Sequence, residues 1–470
     1  MKRKTKRILS LLLSGVLAGG VLSGCGTEAK QTIEDMEIEE VPALTFSITG
    51  GEDVMPVAGF IGPYPGSYAK DGETLPQYIS DEYFEMIADC GLNFINYSQT
   101  NYKSSPNLIY KMLELGEKYG IGMFVTDSEI IGNTGENALS VHEMGERISN
   151  YVDYPAFCGM YVADEPTWPG FCAGSGERDI SEFAPIFNNL AELGIPSYLN
   201  LFPSYVNADQ YELFPQYVEE ALKNCKVPYI SYDHYIWDRS HKNDRYFYDM
   251  SVEREKAEAY NIPFWTYIEA GGNHNDAAAR FDTKTYYPNE GQFDWNINTC
   301  LAYGAKGIQY FPLLQPVTYA YAESTDWDSE RNGLIGVWGN KNRWYYYAQD
   351  IQKQISAIDE VLMHAKSKGV IVSGEQAIKD NKLSTCILDG TSWRELTGVD
   401  GDALIGCFNY QGKTALYVVN YDYEYAQEIT LDWYGTCKFS VTQDGEKETY
   451  QGDHLTLSMR AGEGALIVFE

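Results

Sequence analysis

The sequence predicts an α/β protein in which a (β/α)8 TIM barrel is followed by a C-terminal antiparallel β-sandwich. Three observations lead to this prediction. Eight short apolar runs alternate with helical patterns up to residue 360, and most of these helices end on a Gly or Asn just before the next run. After residue 365 the pattern changes to short alternating strands. Gly and Asn are common left-handed helix caps, and near-continuous apolar strands are typical of parallel sheets covered on both faces.

The eight apolar runs are interpreted as barrel strands because each is short and bounded by turn residues. They are VAGFI (57–61), LNFIN (92–96), IGMFVT (121–126), FCGMYVA (157–163), IPSYLNL (195–201), VPYISY (227–232), IPFWTYI (262–268) and KGIQYF (306–311).

A helix is predicted after each strand. The first lies between Ser80, a suitable N-cap, and Gly91, and the second begins near Pro106 and ends near Gly120. The others lie near 139–152, 180–193, 212–224, 250–260, 293–303 and 342–360. Eight such units in about 310 residues match a TIM barrel, and an open doubly wound sheet is the alternative.

The C-terminal region carries a different signal. Short alternating runs (ALIGCFNY, TALYVVNY, QEITLDW, CKFSVTQ, LTLSMR and ALIVFE) are separated by turn residues such as Gln411-Gly412 and Asp444-Gly445. This spacing predicts an antiparallel β-sandwich of about 100 residues, packed on the barrel. We therefore expect a barrel over residues 45–364 and a sandwich over 365–470.

The N-terminus reads as a targeting segment. A basic start, MKRKTKR, precedes an apolar run from Ile8 to Leu22, as in secretory signals. The following Leu-Ser-Gly-Cys resembles a bacterial lipobox, which implies removal of residues 1–24 and lipid attachment at Cys25. An ordinary signal peptide is the alternative. Residues 25–44 are acidic and patternless, and we expect a solvated tether that holds the protein outside the cytoplasm, anchored to the bacterial cell membrane.

Composition and motifs exclude several functions. The chain has 67 acidic residues against 35 Lys and Arg, so its charge of −32 disfavours nucleic-acid binding. Its 38 Tyr, 19 Phe and 9 Trp suit sugar stacking, although many must simply be core. No dinucleotide, zinc, redox or esterase motif occurs, so neither a cofactor nor a metal is expected. Cys158 and Cys300 lie in apolar patterns typical of buried free thiols.

Chemistry in a TIM barrel takes place at the carboxyl ends of its strands. Strand four is followed by Asp164-Glu165-Pro166, and strand seven by Glu269. Two carboxyls facing each other are what glycosidic cleavage needs, because one gives a proton to the leaving oxygen and the other attacks or supports the anomeric carbon. An acidic helix start or a plain turn is the structural alternative for each.

Residues 50–360, with these two motifs, resemble the clan of retaining (β/α)8 glycoside hydrolases that includes cellulase-like families and family 42 β-galactosidases. The resemblance implies that Glu165 is the acid/base and Glu269 the nucleophile. In that clan an Asn that hydrogen-bonds the sugar precedes the acid/base, but here the residue is Asp164. An ionised Asp can only accept hydrogen bonds, and its charge should raise the pKa of Glu165.

Other residues near the strand ends are candidates for substrate binding. Asp233, His234, Tyr235 and Trp237 follow strand six, where alternate members are expected to be core. Three tryptophans on loops (Trp168, Trp237 and Trp327) are candidate stacking platforms, and His274 follows Glu269 closely. A scaffold role is the alternative for each.

The sequence thus predicts a lipid-anchored surface glycoside hydrolase that cleaves O-glycosidic bonds of a poly- or oligosaccharide with retention. Two alternatives remain. One is a non-catalytic surface glycan-binding lipoprotein on a TIM-barrel scaffold. The other is a carboxylate-based hydrolase of another bond, or an inverting glycosidase that pairs Glu165 with Asp127 or Asp233.

Overall fold

Eight parallel strands close a barrel in chain order, and the last strand pairs with the first. The computed structural model describes residues 33–42, 54–66, 75–172, 178–237, 245–271, 288–315 and 332–470. The strands are β1 (Val57–Gly59), β2 (Phe94–Ile95), β3 (Gly122–Val125), β4 (Phe157–Asp164), β5 (Ser197–Leu201), β6 (Ile230–Tyr232), β7 (Phe264–Glu269) and β8 (Ile308–Phe311). The closed ring confirms the predicted barrel and excludes the open sheet.

Helices surround the barrel at the predicted places. They are α1 (Asp81–Asp89), α2 (Pro106–Tyr119), α3 (Ser128–Ile131), α4 (Val141–Ile148), α5 (Ile180–Glu192), α6 (Phe214–Asn224), α7 (Tyr246–Ala259), α8 (Glu290–Tyr303) and α9 (Arg343–His364). Two 3-10 segments, Gly135–Asn137 and Ser204–Leu213, add to them. Gly120 ends α2 in the left-handed conformation, as its sequence position predicts. The short α3 was not predicted, because four residues carry no helical periodicity.

The C-terminal region forms a separate antiparallel sheet of seven strands. It comprises β9 (Ala365–Ser373), a short helix α10 (Glu375–Asp380), β10 (Leu396–Asp400), β11 (Ala403–Tyr410), β12 (Lys413–Asn420), β13 (Gln427–Gln443), β14 (Glu446–Met459) and β15 (Gly464–Phe469). The order is β10-β13-β15-β12-β11-β9, with β14 on β13. The two predicted strands QEITLDW and CKFSVTQ form a single strand, because β13 continues through a register irregularity between Asp432 and Cys437. The predicted fold class is confirmed.

The sheet packs directly on the barrel within one compact unit, Asp35–Glu470. Phe408, Tyr417 and Leu466 of the sheet belong to the same apolar core as the barrel. Asn298 on α8 joins the two regions: its Nδ2 donates to the Gly462 carbonyl at 2.9 Å, and its Oδ1 accepts from the Tyr417 hydroxyl at 2.6 Å. A second core lies within the sheet itself.

Part of the predicted tether is attached to this sheet. The Met36 amide donates to the Gly412 carbonyl at 2.8 Å, and Lys368 pairs with Glu39 at 3.1 Å. Asn409 Nδ2 also donates to Glu39, at 2.7 Å. The expectation of a wholly solvated tether therefore does not hold for residues 36–39. Residues 1–32, with Cys25, lie outside the described residues. Within the described ranges, no helix is both long and apolar enough to cross a bilayer.

The eight cysteines in the described ranges are free thiols. Cys158 and Cys300 are buried, as their apolar patterns predict. Burial raises the pKa of all eight thiols, to about 12 for Cys90 and about 11 for Cys300. Their thiolate forms are therefore scarce at neutral pH.

Candidate active site

A layer of packed aromatic side chains fills the barrel interior below the candidate site. Phe94, Phe124, Tyr229 and Trp265 pack against one another there, and the Tyr229 and Trp265 rings stack with centroids 3.9 Å apart. Side chains filling the interior in layers are typical of this fold. The barrel is therefore closed below the mouth.

A hydrogen-bonded polar layer lies one step closer to the mouth. Asn96 and Tyr267 each come two residues after a member of this aromatic layer, Phe94 and Trp265 respectively. Their side chains therefore also point into the barrel interior. Asn96 Nδ2 donates to Gln309 Oε1 at 2.6 Å and to the Tyr267 hydroxyl at 3.1 Å. The hydroxyls of Tyr267 and Tyr198 are 2.7 Å apart. This layer forms a polar floor beneath the mouth.

A cavity of about 420 Å³ opens above this floor, at the carboxyl ends of the strands. Aromatic rings and carboxyls dominate its walls. The Tyr97 ring lies 4.8 Å from Phe60 and 4.5 Å from Tyr161, and Tyr235 lies 5.6 Å from Phe311. The lining comprises Phe60, Ile61, Tyr97, Gln99, Tyr161, Asp164, Glu165, Asn200, Tyr205, Asp233, Tyr235, Tyr267 and Phe311. Such a mixture of flat apolar faces and a few polar groups is typical of a small-molecule site.

Asp164 and Glu165 enter this cavity from the end of β4. Asp164 accepts a hydrogen bond from the Tyr198 hydroxyl at 3.4 Å. Glu165 has a φ of +49°, and its amide donates to the Asn200 carbonyl at 2.9 Å. A left-handed Glu before Pro166 is strained by about 1–3 kcal/mol, and strain of this kind concentrates at functional sites.

Glu269 ends β7 and is 2 % exposed. It follows Tyr267 by two residues, so its side chain projects from the same interior face. It is not among the described residues that line the cavity. Burial and the charges of Asp233, Glu165 and Glu269 hold the pKa of Tyr205 well above its usual range. Tyr205 therefore lies within electrostatic reach of both predicted catalytic carboxyls.

Asp233 follows β6 and contacts the same carboxyl cluster. It is 7 % exposed, accepts a hydrogen bond from Asn200 Nδ2 at 2.8 Å, and is hydrogen-bonded to the Glu165 side chain. Burial raises the pKa of Asp233 to about 6, against the opposing effect of Asn200, Glu165 and His234. When two carboxyls are in contact, the charge of one raises the pKa of the other.

Residues after β6 divide between two faces. Asp233 and Tyr235 line the cavity, whereas His234 turns away and its Nδ1 lies 2.8 Å from Asp249 Oδ2 on α7. The predicted substrate contact of His234 is corrected accordingly, because side chains alternate along an extended chain. The predicted substrate contact of Trp237 is corrected as well. Its buried ring packs on Trp295 and Tyr423 at 5.7 and 5.1 Å.

The remaining candidates are placed away from the cavity or outside the described residues. Trp168 is half-buried, pairs with Phe171 through its backbone, and is not among the described lining residues. Asp127 is buried in an ion pair with Arg147 at 2.7 Å, so it cannot serve as the second carboxyl of an inverting pair. His274 and Trp327 lie outside the described residues.

Sequence reasoning missed the cavity tyrosines Tyr97, Tyr161, Tyr205 and Tyr267. The sequence could have indicated two of them as site residues, because Tyr97 and Tyr205 come soon after the ends of predicted strands. The described residues contain no group of three or more His, Cys, Asp or Glu placed to hold a metal ion.

Comparison with known proteins shows similarity in structure. No family model and no curated protein matches the sequence. The β-galactosidase of Bacillus circulans sp. alkalophilus is similar with a TM-score of 0.54 and 10% identity, over 89% of this chain and 99% of that chain. A glycoside hydrolase (0.47, 10%, 95% and 99%) and the β-galactosidase of the Antarctic haloarchaeon Halorubrum lacusprofundi (0.44, 9%, 88% and 99%) are similar as well. The β-galactosidase of B. circulans thus shares the barrel-based fold of this chain.

Proposed function

We propose that the chain is a glycoside hydrolase that cleaves O-glycosidic bonds of an oligo- or polysaccharide with retention of configuration. The observation that carries the proposal is the placement of Glu165 and Glu269 at the ends of β4 and β7, both within electrostatic reach of Tyr205. The aromatic walls of the cavity and the fold shared with a β-galactosidase support it.

Glu269 is a better partner for Glu165 than Asp233 is. The carboxyls of a retaining pair flank the glycosidic bond about 5–5.5 Å apart, and those of an inverting pair stand about 6.5–9.5 Å apart to leave room for a water as well. Asp233 is hydrogen-bonded to Glu165, which leaves no such room. We therefore assign the second role to Glu269.

The reaction would run in two displacements. In the first, Glu165 gives its proton to the glycosidic oxygen while the Glu269 carboxylate attacks the anomeric carbon, and the bond to the leaving group breaks. In the second, the Glu165 carboxylate takes a proton from water as the water oxygen attacks the same carbon and releases Glu269. Two inversions give net retention.

The test begins with 4-nitrophenyl glycosides, β-D-galactoside first because of the structural neighbour. We expect Glu269→Gln to abolish turnover and Glu165→Gln to lower kcat on an unactivated disaccharide by about 10²–10⁴-fold. Glu253→Gln is the matched control, because Glu253 is a buried carboxyl on α7 that does not line the described cavity. Proton NMR of the first-formed anomer reports the stereochemistry.

A covalent probe separates the remaining readings. An activated 2-deoxy-2-fluoro glycoside should label the peptide that contains Glu269, as seen by mass spectrometry. An inverted product without labelling would reject the retaining mechanism. Glycan binding that survives in a protein without hydrolysis would instead favour the surface glycan-binding alternative.

We propose further that Cys25 carries a lipid and holds the enzyme on the outer side of the bacterial cell membrane. The Leu-Ser-Gly-Cys motif behind a short apolar run supports this. In cells fed a radiolabelled fatty acid, the wild-type chain should be labelled and remain with the membranes, whereas Cys25→Ala should be unlabelled. Equal labelling of both chains would reject the anchor.

A further inference from the structure

A chain of hydrogen bonds runs from β6 to the predicted acid/base. Ser231 Oγ donates to Asn200 Oδ1 at 2.8 Å, Asn200 Nδ2 donates to Asp233 Oδ1 at 2.8 Å, and Asp233 is hydrogen-bonded to Glu165. The Asn200 carbonyl also accepts the Glu165 amide at 2.9 Å. Asn200 therefore holds both members of the carboxyl pair, one through its side chain and one through its backbone.

We propose that Asp233 and Asn200 are positioning residues that keep the shared proton of the pair on Glu165. This inference rests on the proposed function. It assigns a role to two residues that need not touch the substrate.

The direction of the network decides where the proton sits. Ser231 Oγ donates to the Asn200 oxygen, and the Asn200 amide nitrogen faces Asp233. A hydrogen bond donated to a carboxylate stabilises its charged form. Asp233 thus receives the negative charge, and the proton remains on Glu165.

The surrounding groups come from several elements. Asp233 is followed in the chain by His234, whose electrostatic effect acts to lower the pKa of Asp233. The Glu165 charge acts on Tyr205, Tyr217 and Tyr235, and on the Cys172 thiol. Asp164 precedes Glu165, and Glu269 acts on the same Tyr205.

The pair suits both halves of the reaction. Before the first displacement the proton stands ready on Glu165. Once it has passed to the leaving oxygen, two adjacent carboxylates repel each other, which strengthens Glu165 as the base that takes a proton from water. The pair returns to its one-proton state when the sugar is released.

The first test is the pH dependence of kcat/KM on the preferred aryl glycoside. In Asp233→Asn the neighbouring charge is lost and an amide can donate to Glu165, so the alkaline limb should move to lower pH by about one unit or more. In Asn200→Ala the proton is shared more evenly between Asp233 and Glu165. The maximum value of kcat/KM should therefore fall, but the alkaline limb of the pH profile should not move to lower pH. An unmoved limb in Asp233→Asn, with only KM raised, would make Asp233 a substrate-binding group and overturn the proposal.

The second test does not depend on activity. A carboxyl whose folded pKa exceeds its unfolded pKa stabilises the folded state progressively as the pH falls through the folded value. The unfolding midpoint of wild type relative to Asp233→Asn should therefore rise by about 2 °C from pH 7.5 to pH 4.5. The exposed control Asp389→Asn should give a constant difference.

The two tests distinguish the two failures. A pH-independent midpoint difference would overturn the shared proton even in an active glycosidase. The expected midpoint shift in a protein that hydrolyses no glycoside would overturn the proposed function, and with it the catalytic purpose of the pair. If Asp233→Asn fails to fold, the pH profile of Asn200→Ala tests the proposal alone, and an acid shift of its alkaline limb would overturn it.

Discussion

Glu165, the proposed acid/base, has an unfavourable backbone conformation. Its φ of +49° is a conformation that glycine adopts without a steric penalty. We predict that Glu165→Gly is more stable than Glu165→Ala by about 1 kcal/mol, because only glycine relieves the strain. Chemical unfolding of both variants measures the difference. Equal stability would show that the backbone at Glu165 is not strained.

Glu253 is a buried carboxyl that does not line the described cavity. It lies on α7, and neither of its oxygens has a hydrogen-bond partner among the residues that the structure describes. Burial, with the Asp249 charge, holds its pKa well above the usual range. The folded state therefore loses stability as the pH rises above the ordinary value for Glu.

The neutral variant Glu253→Gln should accordingly be more stable than wild type at pH 7.5, by about 2 kcal/mol, and the gain should shrink towards pH 4.5. Thermal unfolding across this pH range checks the slope. A gain that does not change with pH would mean that Glu253 does not titrate on unfolding.

At the scale of elements, α7 holds two parts of the site together. Asp249 Oδ2 on this helix accepts from the Ser204 amide at 2.9 Å and lies 2.8 Å from His234 Nδ1. Ser204 precedes Tyr205, and His234 follows Asp233. The helix thus fixes the segments after β5 and β6 through one carboxylate.

Removing that carboxylate should misplace both segments. We predict that Asp249→Ala lowers kcat on the preferred substrate by about 10-fold or more, since small displacements of catalytic groups are costly. Asp249→Asn keeps an acceptor oxygen and should lose less. Steady-state kinetics of the two variants provide the comparison, and equal losses would point to the charge rather than to the contact.

The sequence predicts the elements well and the contacts between strands poorly. Apolar runs behind Gly or Asn caps locate the barrel strands, and Asp164, Glu165 and Glu269 follow because they stand at strand ends. The Asn200–Asp233 contact depends on the register that pairs Asn200 with Ser231, which a single sequence does not reveal. The cavity tyrosines could not be told apart from core tyrosines in the sequence, because Tyr is abundant throughout the chain.

At the scale of the whole molecule, the barrel and the C-terminal sheet share one apolar core. Sheet residues complete the barrel core, and Tyr423 packs against Trp237 after β6. We predict that a chain ending at His364 is largely insoluble, because it would expose the apolar side of α8. Soluble yield and size-exclusion chromatography test this. A soluble, active barrel would show that the sheet is dispensable.

The buried thiols have a practical consequence for labelling. Alkylating reagents attack thiolates, and all eight cysteines of the described ranges hold their protons strongly. Cys25, the ninth, would be blocked by its lipid. A single cysteine introduced at an exposed position such as Ile378 would then react with maleimide far faster than the native thiols. The eight cysteines of the described ranges would therefore compete little with a spectroscopic probe attached at such a position.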